Sequence, residues 1–221
     1  MKEIKTYHKN GKLQAHYYEL NGKTHGEYKE WYDNGQLSTH AYYVDDKLHG
    51  EYKLWYEDGQ PSIHRHYVND KLHGEFKRWY DNGQLQVHTD YVNNQMHGEY
   101  KNWDHCGQRR VFSHYANGKL NGEYKYWHTN GQPYTHTYYV NGKFHGEYKG
   151  WYENGQPSIH RYYVDDKRHG EFKEWNRQGD LIVHDFWLYD KEVTTDVDKL
   201  VTDIKSITQE ERILIKLAVG C

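Results

Sequence analysis

Short runs of alternating apolar and polar residues, rich in Tyr, Trp and β-branched side chains, fill the chain from residue 1 to 192. Glu27-Tyr28-Lys29-Glu30-Trp31-Tyr32 and Gln36-Leu37-Ser38-Thr39-His40-Ala41-Tyr42-Tyr43-Val44 are two of them. One end of such runs is marked by Asn34-Gly35, Asp58-Gly59, Asn82-Gly83 or Asn130-Gly131, the other by Asn21-Gly22, Asp45-Asp46, Asn117-Gly118 or Asn141-Gly142. Alternation with period two predicts strands. Turn dipeptides between β-rich runs predict tight hairpins, with type I′ turns that need positive φ at both central residues.

The runs repeat. HGEYKEWYDNGQ begins at His25, and near copies begin at His49, His73, His97, Asn121, His145 and His169, a period of 24 residues. Counting His25 as position 1, eight copies cover residues 1–192, with Glu at position 3, Lys at position 5 and Gly at position 11 in all of them. Each copy is one β-hairpin, which predicts an all-β, elongated, single-layer antiparallel β-meander of about 16 strands. A longer period overlies it, since Gly59-Gln60-Pro61-Ser62-Ile63-His64-Arg65 recurs unchanged at Gly155–Arg161. Residues 193–221 break the pattern: Val197, Leu200, Val201, Ile204 and Ile207 fall at helical spacing, and Thr208-Gln209-Glu210-Glu211 forms a capping box. A short α-helical cap over 193–221 is therefore expected to cover an edge of the 1–192 array.

Two-residue turns would pair position 9 with 12 and position 20 with 23. Positions 1, 3, 5, 7, 16 and 18 then share a polar face carrying a Trp stripe. Positions 2, 4, 8, 13, 15 and 19 form the more apolar, inner face. This register sets His40 between Lys29 and Glu51 of the next copy. It predicts a charge ladder through Glu27, Lys29, His40, Glu51, Lys53, His64, Glu75, Lys77 and His88, each pair contributing about 0.2–1 kcal/mol.

Composition narrows the function. Aromatics make up 17% of the residues, and the formal charge is −3 with 29 basic and 32 acidic side chains interspersed. That balance argues against nucleic acid, which needs clustered Lys and Arg, and offers no general attraction to an anionic membrane. No leader or membrane-spanning run is read from the sequence, and two cysteines, Cys106 and Cys221, suggest a reducing, intracellular setting.

The repeated Gly-Glu-Tyr, Trp-Tyr-x-Asn-Gly and Tyr-x-Asn-Gly-Lys signatures, as in residues 26–35 (GEYKEWYDNG) and 138–146 (YYVNGKFHG), resemble the MORN-repeat family. They are most similar to its variant form in bacterial and giant-virus proteins. The resemblance covers residues 1–192 and implies a β-meander closed by a C-terminal helix. It implies a scaffold, a dimeriser, a membrane or lipid tether, or an antitoxin-like partner.

Catalysis calls for a unique constellation in a pocket, whereas every candidate acid or base here recurs copy after copy. No catalytic residue, metal site or cofactor is assigned. Equivalent histidines such as His40 and His64 lie two strands, roughly 9.5 Å, apart in a sheet and cannot share a zinc ion. The candidate interaction surface comprises Trp31, Trp55, Trp79, Trp103, Trp127, Trp151 and Trp175, with Tyr43, Tyr67, Tyr91, Tyr139 and Tyr163. Aromatics at regular intervals suit a protein partner or a second copy of the chain. The fifth copy departs most, with Asp104, His105 and Cys106 at its turn and Phe112 in place of His.

Overall fold

The computed structural model describes residues 1–193, which form eighteen β-strands and no helix. The helical cap expected over 193–221 lies, from residue 194 on, outside the described residues. Contacts divide the chain into two compact units, Met1–Lys119 and the part from Leu120 on.

The first unit contains β1 (Lys2–Tyr7), β2 (Leu13–Leu20), β3 (Lys23–Trp31), β4 (Leu37–Val44), β5 (Lys47–Trp55), β6 (Pro61–Val68), β7 (Lys71–Trp79), β8 (Leu85–Val92), β9 (Gln95–Trp103) and β10 (Arg109–Ala116). Each pairs antiparallel with the next in the chain, the order of a meander. The second unit contains β11 (Lys119–Trp127), β12 (Pro133–Val140), β13 (Lys143–Trp151), β14 (Pro157–Val164), β15 (Lys167–Arg168), β16 (Gly170–Trp175), β17 (Leu181–Leu188) and β18 (Lys191–Glu192), again antiparallel in chain order. The expected hairpins account for all but two strands. Buried His169 separates β15 from β16, and β18 adds a short pair to β17.

The two turn classes differ, although both are written Asn-Gly in places. Asp45 and Asp46 both take positive φ, 51° and 68°, the tight turn expected. At the other end Gly35 is left-handed (φ 94°) while Asn34 is not. Tyr32 N–H donates to Gln36 O at 2.8 Å, and Gly35 N–H donates to Tyr32 O at 2.9 Å. That is a three-residue turn whose glycine makes the bulge, so position 8, not position 9, faces position 12. The register shifts by one beside it, between Glu30 and Trp31, and brings Leu37 opposite Trp31. Position 13 thereby leaves the inner face predicted for it. Deeper in the hairpin Lys29 faces His40, as expected.

Between hairpins the register differs from the expected one. Val44 faces Lys47 and Tyr43 faces Leu48, but Ala41 faces Tyr52 and His40 faces Lys53. Three residues of β5, His49 to Glu51, stand opposite Tyr42 alone, and Gly50 takes φ +93° to make the bend. His40 therefore does not pair with Glu51. The position-2 glycine is required by backbone conformation, not by tight packing: at Gly26 and Gly98 nothing lies within 4 Å of an added Cβ.

The register places Tyr28, Glu30, Thr39, Ala41 and Tyr43 on one face. Small residues at position 17 run down its middle: Ala41, Thr89 and Ser113 in the first unit and Thr137 in the second are buried. Aromatic pairs flank them, Tyr28 against Tyr43 at 5.4 Å and, in the second unit, Tyr124 against Tyr139 at 5.8 Å. Such edge contacts contribute about 0.5–1.5 kcal/mol beyond burial. The longer period shows here as well. Arg65 and Arg161 interrupt the small row in their own units, with guanidinium groups 4.6 Å from the Tyr52 ring and 4.2 Å from the Phe172 ring.

Hairpin ends are stitched to those of the next repeat. Asn34 Nδ2 donates to Glu57 O at 2.8 Å and the Tyr32 hydroxyl donates to Trp55 O at 2.7 Å. At the opposite end Asp46 Oδ1 accepts from Thr24 N–H at 2.7 Å. Each such bond contributes about 0.5–1.5 kcal/mol, repeated along the array.

Candidate functional site

The second face carries the recurring Glu, Lys and His of positions 3, 5 and 16. Its unit is a triplet closed within one hairpin: Glu27 Oε1 accepts from Lys29 Nζ at 2.8 Å and pairs with His40 Nε2 at 2.9 Å. Lys29 lies two residues on in the same strand, and His40 lies opposite Lys29 in β4. The same closure recurs at Glu75, Lys77 and His88 (2.6 and 3.0 Å). In the second unit Glu147, Lys149 and His160 repeat it, at 2.8 Å for both pairs. The expected ladder of Glu27, Lys29, His40, Glu51, Lys53, His64, Glu75, Lys77 and His88 is thus chiefly a series of triplets, with His64 Nδ1 also 4.0 Å from Glu75 Oε2 of the next hairpin. The inter-hairpin slip turns each histidine back to its own glutamate. Hydrogen bonds from the Lys ammonium first, and then from His, hold the Glu27, Glu75 and Glu171 carboxyls below the usual carboxylate range.

In most copies an aromatic residue at position 18 completes the set, whereas the third, fourth and fifth copies have His66, Asp90 and His114 there. The His40 ring lies 5.0 Å from the Tyr42 ring, and in the second unit His136 and His160 each lie 5.2 Å from Tyr138 and Tyr162. Tyr42, Tyr138, Tyr162 and Phe186 are exposed, as are Val44, Val68, Val92 and Val140 two residues beyond position 18. The sequence places position 18 on this polar face, two residues from the triplet histidine, but the candidate interaction surface drawn from it used the Trp and position-19 Tyr residues instead.

The two proposed aromatic stripes are not brought together. Trp31, Trp55, Trp79, Trp103, Trp127, Trp151 and Trp175 are half-buried. By register Trp31 lies with the triplet opposite Leu37. Tyr43, Tyr67, Tyr91, Tyr139 and Tyr163 stand on the opposite face, their rings against Tyr28, Tyr52, Phe76, Tyr124 and Tyr148. In the fifth repeat Phe112 occupies the histidine place, and His114 approaches Glu99 only to 3.8 Å. Asp104 accepts from Cys106 and Gln108 N–H, each at 3.0 Å, so it caps its own turn. His105 stacks on Tyr80 at 4.0 Å, and Cys106 is exposed.

Among the described residues, one group of three ligand-bearing side chains converges. Glu51, His64 and His66 bring their donor atoms within 4.8 Å of one another. It arises because the third copy has His66 where most others have an aromatic residue, a departure visible in the sequence.

No curated protein matches the chain. The family model for the MORN repeat variant matches residues 24–45, 48–69, 72–93, 120–141 and 144–165. Each match opens one residue before the His-Gly-Glu or Asn-Gly-Glu start and closes in the tight turn, so the matched unit spans a whole hairpin. The spared copies include the fifth, in which the triplet loses its histidine. From repeat sequence and hairpin fold together, the chain belongs to the MORN-repeat family.

Proposed function

We propose that the chain is a non-catalytic scaffold that binds another protein on the triplet face. The observation that supports this most is the exposed aromatic of four of the sets, at Tyr42, Tyr138, Tyr162 and Phe186, held against a histidine that is itself anchored by glutamate. Exposed aromatic edges are favoured anchors, and side chains already fixed lose little entropy on binding. Every triplet offers one carboxylate and one ammonium, a mixed field that suits a protein surface better than a polyanion or an anionic bilayer. No helix among the described residues is long and apolar enough to cross a membrane. The exposed thiol of Cys106 is in keeping with a reducing, intracellular setting.

The test is affinity capture from the source cells with the parent and with Tyr42→Ser, Tyr138→Ser and Tyr162→Ser combined. The scaffold reading expects a stoichiometric protein with the parent and at least tenfold less with the variant, at unchanged circular dichroism. Equal capture by both rejects this face. Cosedimentation of the parent with anionic vesicles at low salt would favour a membrane tether. Concentration-dependent sedimentation of the pure chain would make the partner a second copy.

A further inference from the structure

We propose that Glu51, His64 and His66 form a site for one divalent transition-metal ion of the zinc class. The three donor atoms lie within 4.8 Å of one another, and His64 Nε2 stands 3.3 Å from Glu51 Oε1. Bonds of about 2.0–2.1 Å at a tetrahedral ion set neighbouring donors roughly 3.3 Å apart, so this edge already has ligand spacing.

The surroundings differ from those of the other triplets in the sense that a ligand set requires. Elsewhere the histidine Nε2 is hydrogen-bonded to its glutamate, as at His40, His88 and His160. His64 Nε2 is buried beside Glu51 with no hydrogen-bond partner. Its other nitrogen, Nδ1, lies 4.0 Å from the Glu75 carboxylate, a second negative charge near the imidazole. Lys53 takes Glu51 Oε2 at 2.7 Å and leaves Oε1 turned to the imidazole. The Lys53 ammonium opposes a cation, but Glu75 adds a compensating carboxylate. His66 supplies the second imidazole, its ring 5.7 Å from that of His64.

Two imidazoles and one carboxylate suit Zn²⁺, Co²⁺, Ni²⁺ or Cu²⁺ rather than Mg²⁺ or Ca²⁺, which favour all-oxygen sets. Three protein donors leave a fourth position for water. The chain itself supplies the variants that remove the site: His66→Tyr installs the residue found at Tyr42, and His64→Phe the residue found at Phe112. Titration calorimetry with ZnCl₂ in a non-chelating buffer, followed by Co²⁺ visible absorption, measures the site. The parent is expected to take one tight equivalent. Either variant should lose at least tenfold in affinity, the lower end of what even outer partners cost. His136→Gln, which removes a triplet histidine in the second unit, should leave binding unchanged. The proposal is overturned if the parent binds no Zn²⁺ at micromolar concentrations, or if both site variants bind it as tightly as the parent.

Discussion

Replacing Gly98 with Ala isolates the backbone strain on which the inter-hairpin slip depends. Gly98 has φ +81° and nothing within 4 Å of an added Cβ, so a methyl group meets no neighbour. The left-handed conformation costs an L residue about 1–2 kcal/mol. The stiffer unfolded chain returns about 0.4–1 kcal/mol. The net loss is about 1 kcal/mol, or about 2–4 °C in Tm for a chain of this size. Urea and thermal unfolding followed by far-UV circular dichroism measure it. Gly150→Ala provides the steric contrast, because there φ is ordinary and the new Cβ would sit 2.7 Å from Ile159 Cγ2. Its loss should be partly restored by truncating Ile159, whereas no truncation should restore Gly98→Ala. A Gly98→Ala variant as stable as the parent, or more so, would refute the positive-φ account of the slip.

Ala41 is fully buried in the row of small residues, so Ala41→Leu should overpack it and cost about 1–3 kcal/mol by urea unfolding. Asn34→Ala removes both the acceptor for Gln36 N–H and the donor to Glu57 O, with an expected loss of about 1 kcal/mol, read as a lower urea midpoint. The Glu27, Glu51, Glu75 and Glu171 carboxyls are held low chiefly by their Lys hydrogen bonds. Their folded pKa values lie below the unfolded ones, so the stability they contribute is complete above the ordinary carboxylate range and disappears as pH falls through the folded values. Urea midpoints should therefore be flat from neutral to weakly acid pH and then fall. The fall should be shallower when Lys29, Lys53 and Lys77 are changed to Met.

Strands, turns and period were all legible because every copy repeats the same alternation between the same dipeptides. Pairing within a hairpin was legible too, down to Lys29 opposite His40. Pairing between hairpins was not, and repetition itself is the reason. His40 has Glu27 thirteen residues before it and Glu51 eleven residues after, chemically identical partners, so pattern alone cannot choose between them. The choice is made by Gly50 at positive φ. The turns hid a similar ambiguity. Asn21-Gly22 places both residues at positive φ while Asn34-Gly35 places only the glycine there, because the latter turn also takes in Asp33. That extra residue moved Leu37 across the sheet and concealed which positions line each face. The row of small residues at position 17 and the convergence of His64 and His66 with Glu51 became visible only once the faces were known.

The register between hairpins decides whether each glutamate closes a triplet in its own repeat and so positions the exposed aromatic beside it. Cross-strand nuclear Overhauser contacts of His40 in the folded chain measure it directly. Backbone contacts from His40 to Lys29 and to Lys53 are the predicted result. Contacts from His40 to Glu51 in place of Lys53 would contradict the slip, the separate triplets and the face assigned to binding.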